Sequence, residues 1–186
     1  MNKTLRHKIA NYLFHREMRH HKREQKSVPF SVAKTIGILY DATSERDYEL
    51  VKKFVKEIRD QHKDVLALGY YDKKELPNTR FVKLGLDFFT KKNLNWHLKP
   101  NHYGINNFIK ADFDILINLT IEKNFPLKYI FAKTKAKFKI GKYDKKNSRY
   151  YDMMIQTDEN VSLGKFIELI VHYLNLVRND RHLQEA

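Results

Sequence analysis

Phe113-Asp-Ile-Leu-Ile-Asn-Leu-Thr-Ile121 is too apolar for a half-exposed strand and too rich in β-branched residues for a comfortable helix. A run of this kind belongs in the middle of a sheet covered on both faces. Pro126 follows, where the first turn of a helix tolerates a residue without an N–H. Next comes Lys135-Ala-Lys-Phe-Lys-Ile-Gly-Lys142, in which lysines alternate with apolar residues at the period of a strand. The unit is therefore strand, helix, strand, and it places a dense positive charge beside the core.

Working outward, Thr35-Ile-Gly-Ile-Leu-Tyr-Asp41 reads as the first strand. Ser44 with Asp47 three residues on resembles a capping box. Leu50, Val51, Phe54, Val55 and Ile58 mark the buried face of the helix that follows, and Val65-Leu-Ala-Leu-Gly-Tyr-Tyr71 is a second strand. Arg80 to Leu84 is expected as a third strand, Leu86 to Trp96 as irregular or a short helix, and Tyr103 to Lys110 as a short helix. Tyr151 to Gln156 supplies a last strand, and Ser162 caps a helix to about Arg178. That helix is apolar beyond one stripe, so it is expected in the core or half against a protein partner.

Alternation of strand and helix implies an α/β fold, a three-layer sandwich around a mostly parallel sheet of Rossmann-like topology. To this is added an N-terminal basic helix. The expected organisation is a basic amphipathic arm over 1–26, a hinge over 27–33, one α/β domain over 34–178, and a polar tail over 179–186. In the arm, Leu5, Ile9, Tyr12 and Leu13 form a short apolar stripe, and beyond Phe14 and Met18 the helix is polar all round.

The chain has 186 residues, 42% hydrophobic and 31% charged, an ordinary globular balance. It has no cysteine, which removes disulfides, thiolate metal sites and cysteine nucleophiles and suits a reducing cytoplasm. No apolar run approaches the roughly 20 residues of a membrane span, and no apolar segment follows the basic N-terminus as a secretory signal requires. A cytoplasmic protein without integral membrane association is expected.

The net charge of +14 is held in two blocks. Residues 1–26 carry eight Lys or Arg against Glu17 and Glu24, and residues 123–149 carry ten against Asp144 alone. The remainder is close to neutral. Localised blocks are what a polyanion requires, because counterion release grows with the number of phosphates neutralised together. The candidate nucleic-acid contacts are Lys3, Arg6, Lys8, Arg16, Arg19, Lys22 and Arg23 in the arm. In the second block they are Lys133, Lys135, Lys137, Lys142, Lys145, Lys146 and Arg149. Two bland readings stand beside this one: a solvated tail, and lysines that guard an edge strand against aggregation. Interleaved aromatics and histidines in the arm, and cations continuing past the strand to Arg149, favour RNA. Tyr143, Tyr150 and Tyr151 add rings that stack on unpaired bases.

Chemistry is sought at the carboxyl ends of the strands, where open α/β sheets bind ligands. These ends offer Asp41-Ala-Thr-Ser44, Tyr71-Asp72 and Asn118-Leu-Thr120. The turn after the first strand has no glycine, so a dinucleotide fingerprint and a P-loop are both missing. The nine histidines show no metal-binding spacing. No cofactor, metal or catalytic residue is assigned.

With its basic arm, Thr35–Asp41 and Phe113–Leu119, the chain resembles a family of short uncharacterised proteins from the Bacteroidetes, which implies no activity. Locally, Phe113 to Tyr143 resembles the strand-helix-strand of the N-terminal lobe of heptosyltransferase-type glycosyltransferases, including an Ile-Gly-Lys-Tyr ending. That likeness implies the fold. The Gly-Asp after the first strand is missing, and there is no room for a second lobe. The expected function is a non-enzymatic RNA-binding protein associated with the ribosome or rRNA. The alternatives are a membrane-surface protein using the basic helix, or an enzyme acting on a nucleotide or sugar near Asp41 and Asp72.

Overall fold

The computed structural model describes residues 3–78 and 85–177. The expected strand at Arg80–Leu84 and the polar tail lie outside the described residues. Six strands form one sheet: β1 Thr35–Asp41, β2 Asp64–Tyr71, β3 Leu86–Thr90, β4 Ile115–Asn118, β5 Phe138–Lys142 and β6 Met153–Ile155. Every neighbouring pair is parallel, and the order is β3-β2-β1-β4-β5-β6. This is the doubly wound Rossmann order, with its reversal between β1 and β4.

The opening stretch lies where its composition requires. All four residues of β4 are buried, and β4 pairs with β1 through Ile36↔Ile115 to Leu39↔Asn118. Alternate side chains feed two cores. Ile115 and Ile117 face one, with Val51, Phe54 and Ile58 of helix α2 (Glu45–Arg59) and Phe166, Ile170 and Leu174 of helix α5 (Leu163–Leu176). Leu116 faces the other, with Ile105 and Phe108 of α3 (Tyr103–Lys110) and Leu127 and Ile130 of α4 (Phe125–Lys133). Three layers result.

Helix α1, Lys3–Met18, joins the second core. Its buried residues are Ala10, Phe14 and Met18, one turn apart, while Leu5 and Tyr12 are 50% and 66% exposed. The expected Leu5–Tyr12 stripe is thus corrected. Phe14 meets Phe125 and Tyr129 of α4 and Tyr150 edge-on or tilted, with ring centroids 5.5–6.0 Å apart. Helix and body are one packed unit.

Three further expectations change. The expected hinge at 27–33 buries Val28, Pro29, Phe30 and Ala33, and Val28, Phe30 and Ala33 join the α2–α5 core. Leu86–Thr90, the first part of the stretch expected as irregular or a short helix, is β3, because Leu86, Phe89 and Thr90 are buried beside β2, and a short 3₁₀ helix follows at Lys91–Asn93. The lysine-alternating strand is not an edge: β5 lies between β4 and β6. Lys139 is 1% exposed. Its ammonium donates to the carbonyls of Phe131 and Thr134 at 2.7 Å and Ala132 at 3.4 Å, terminating α4. Burial, then the nearby Arg23, pushes its pKa well below the lysine range.

Truncating Phe14 to alanine removes a ring that is 1% exposed and is expected to cost about 3 kcal/mol. Tyr12→Ala is expected to cost almost nothing, and urea denaturation of the two variants checks the assignment of the buried stripe.

Candidate nucleic-acid interface

Helix α1 lies alongside α4 in the same direction. Near its middle the Lys128 ammonium donates to Asn11 Oδ1 at 2.7 Å and sits 4.7 Å and 5.0 Å above the Phe14 and Phe125 rings. Near its end Glu17 accepts three hydrogen bonds: Tyr129 OH at 2.8 Å, Lys133 Nζ at 2.9 Å and Lys99 Nζ at 2.9 Å. Burial alone would raise this carboxyl, but the bonds from Lys133, Lys99 and Tyr129 outweigh it and hold the pKa at about 2, from 4.5. A carboxylate surrounded by donors keeps its charge because each bond favours the ionised form.

This docking brings the two basic blocks together. His15 is pushed down by burial and then by Lys128 and Arg149. His21 is pushed down by burial, with Lys139, Lys133 and Lys135 adding to it against a backbone bond. Residues far apart in sequence therefore share one electrostatic neighbourhood. Helices α1 and α4 and the 3₁₀ turn Lys145–Tyr150 carry nine Lys or Arg against Glu17 alone, a net +8. On the opposite layer α2 and α5 carry six against five, a net +1. The charge belongs to one face.

Within that face the candidates divide. Lys8, Arg16, Arg19, Lys22, Lys135, Lys145 and Lys146 are exposed, Lys142 is half-buried, and none has an ion-pair partner among the described residues. Arg149 lies over its neighbour Tyr150, 4.7 Å from the ring centroid, and donates to its hydroxyl. Three others serve the fold. Arg23 grips Asp152 with two bonds of 2.6 and 2.7 Å and reaches the carbonyls of Ala136 and Lys137. Lys133 holds Glu17, and Lys137 holds Asp114 at 2.7 Å. Arg6 donates to the carbonyls of Trp96 and Asn95 at 2.5 and 3.3 Å. The side chain of Lys3 lies outside the described ones.

Because α1 buries Ala10, Phe14 and Met18, its outward ridge is Lys8, Tyr12, His15, Arg16 and, just past the helix, Arg19. Tyr12 and His15, exposed on this ridge, are not among the sequence candidates. The helical period centred on Phe14 would have found them, had Phe14 rather than Ile9 been taken as the buried anchor.

The strand-end acids are also in place. A cleft of about 1300 Å³ opens there, lined by Asp41, Thr43, Asp72, Thr120 and Asn124 and walled by Arg6 and His7 of α1. Asp41 accepts the Thr43 N–H at 2.8 Å and the Asn124 amide at 3.2 Å. Asp72 Oδ1 accepts the Tyr70 hydroxyl at 2.8 Å and the Lys91 ammonium at 3.1 Å.

The model of a family of unknown function, DUF6913, matches residues 6–177, and the chain belongs to that family. No curated protein and no solved structure matches it. Among the described residues no helix is long and apolar enough to cross a membrane.

The Glu17 carboxyl is held below its unfolded value, so its contribution to seating α1 is complete above about 4.5 and is lost as pH falls towards about 2. Glu17→Gln is expected to lower stability at neutral pH. The gap between variant and wild type is expected to close across that window in an acid series of urea melts.

Proposed function

We propose that this member of the family binds RNA, through the ridge of α1 together with the cations of the 145–150 turn and the end of β5. The observation that supports it is the one-sided charge: the two basic blocks are joined on the α1–α4 layer, and among the thirteen candidates whose side chains are described only Arg23, Lys133 and Lys137 have an acidic partner, which leaves ten without one. Phosphate contacts of this kind release counterions and confer affinity without sequence information. Tyr12 stands 66% exposed with Lys8 and Arg16 one turn to either side, the arrangement in which a ring stacks on an unpaired base while its neighbours hold phosphates. Ribosomal RNA is the preferred target, since folded RNA offers both duplex backbone and splayed bases to a rigid basic face.

A membrane surface fits less well. Interfacial helices insert an apolar face, and the apolar face of α1 is already spent on α4. The heptosyltransferase likeness reaches only the strand-helix-strand of β4, α4 and β5, and an enzymatic reading would rest on the strand-end cleft.

Binding to a mixed single-stranded RNA is expected to weaken steeply from about 50 to 200 mM salt. Replacing Lys8, Arg16 and Arg19 together by alanine is expected to reduce the log–log salt slope by about 2, at roughly 0.7 per phosphate contact. Tyr12→Ala is expected to cost about 1 kcal/mol or more with the slope unchanged, because stacking releases no counterions. Lys165→Ala on the opposite layer is the silent control. Fluorescence anisotropy over a salt series measures all four, and a flat salt response overturns the reading.

A further inference from the structure

We propose that the strand-end cleft is a second site, independent of the RNA face, and that it binds a small phosphate ester of a sugar, with ribose 5-phosphate as its minimal form. The cleft measures about 1300 Å³ and lies where the sheet order reverses, outside the carboxyl ends of β1, β2 and β4. Open α/β sheets place ligands at this position because the helices on either side of the reversal leave to opposite faces and part there.

The lining has the mixed chemistry that such a ligand needs. Arg46, Lys74 and Lys123 have no carboxylate partner among the described residues. Arg6 spends its guanidinium on the carbonyls of Trp96 and Asn95, which leaves its charge uncompensated. Against these stand carboxylates that accept from hydroxyls. Asp72 follows β2, is half-exposed, and is held by Tyr70 and Lys91 through Oδ1, while Oδ2 has no hydrogen-bond partner among the described residues. A uniformly cationic groove suits a polyanion. Here five Lys or Arg meet Asp41, Asp47, Asp72 and Glu122, a balance that suits one phosphate beside vicinal hydroxyls.

The turn after β1 restricts the ligand further. A pyrophosphate needs free backbone N–H groups and close approach, normally at glycine. Here the Thr43 N–H donates to Asp41 at 2.8 Å, and Thr43 Oγ1 accepts the Asp72 N–H at 3.0 Å, so side chains occupy the turn. Ser44, Asn124 and Ser162 cap their own helices. The side-chain cations therefore hold the phosphate, and a dinucleotide is excluded.

Isothermal titration of the full chain with ribose 5-phosphate, AMP, inorganic phosphate and ribose tests this. Ribose 5-phosphate and AMP are expected to saturate, phosphate to bind at least tenfold more weakly, and ribose not at all up to about 10 mM. Asp72→Asn is expected to weaken ribose 5-phosphate about tenfold and leave phosphate unchanged. The Arg46→Ala, Lys123→Ala pair is expected to weaken both, with thermal melting checking that each variant folds. The Lys8, Arg16, Arg19 triple variant is expected to titrate as wild type, so this site and the RNA face fail separately. No saturation with either ester overturns the proposal. So does AMP binding without ribose 5-phosphate, or equal binding of phosphate and ribose 5-phosphate that ignores Asp72→Asn.

Discussion

The carboxylate of Glu17 is the point on which the seating of α1 depends. A helix carrying Lys3, Arg6, Lys8 and Arg16 against one acid gains little from its own sequence, and a largely polar helix needs tertiary contact to persist. Phe14 supplies the apolar contact, yet α4 presents Lys128 and Lys133 to it, and Lys99 stands nearby. Without a counter-charge, docking would press cation against cation. Glu17 resolves this by taking Lys133, Lys99 and the Tyr129 hydroxyl at 2.8–2.9 Å. The face can then be strongly positive outside because the repulsion at the seam is offset in part by this one carboxylate.

Lys139 shows the same economy in the opposite setting. The sequence displays it as one of three alternating lysines, indistinguishable from Lys135 and Lys137. Three carbonyls at the end of α4 accept its three protons, which is what a buried ammonium needs to avoid the penalty of an unpaired charge. It closes a helix that ends in Thr134, whose own hydroxyl already bonds Phe131. Part of the basic block is therefore architecture. Arg23, bound to Asp152 and two carbonyls of the Ala136–Lys137 link, pins the chain leaving α1 to the same region.

The sheet was legible wherever burial on both faces left a continuous apolar run, as at β1, β2 and β4, and α2 and α5 were legible from their caps and stripes. What failed depended on neighbours in space. The lysines of β5 left an edge strand open as an alternative, and only the strand order closes it by placing β6 outside. β3 is short, and its Phe88 and Phe89 run directly into Lys91, Lys92 and Asn93, a pattern with no clear period. In α1, Ile9 and Phe14 support two overlapping stripes, and the aromatic wall of α4 decides between them. The charge blocks were visible as counts, but their union was not, since nothing local states that residues near 15 meet those near 128 and 149. The strand-end acids were visible. The cleft around them takes Arg6 and His7 from a helix that sequence alone places elsewhere.

One helix thus serves three surfaces, and its period separates them. Ala10, Phe14, Glu17 and Met18 turn inward and fix the seat. Lys8, Tyr12, His15 and Arg16 turn outward by the same geometry, about half a turn away. Arg6 and His7, at the end nearest the strand termini, wall the cleft. Because the helix is continuous over 16 residues, its seat sets the position of all three together. A loose tail would supply the same cations to a polyanion only at a greater entropic cost and would supply nothing to the cleft. The docked helix is the arrangement that brings the basic face and the strand-end cleft together on one sheet.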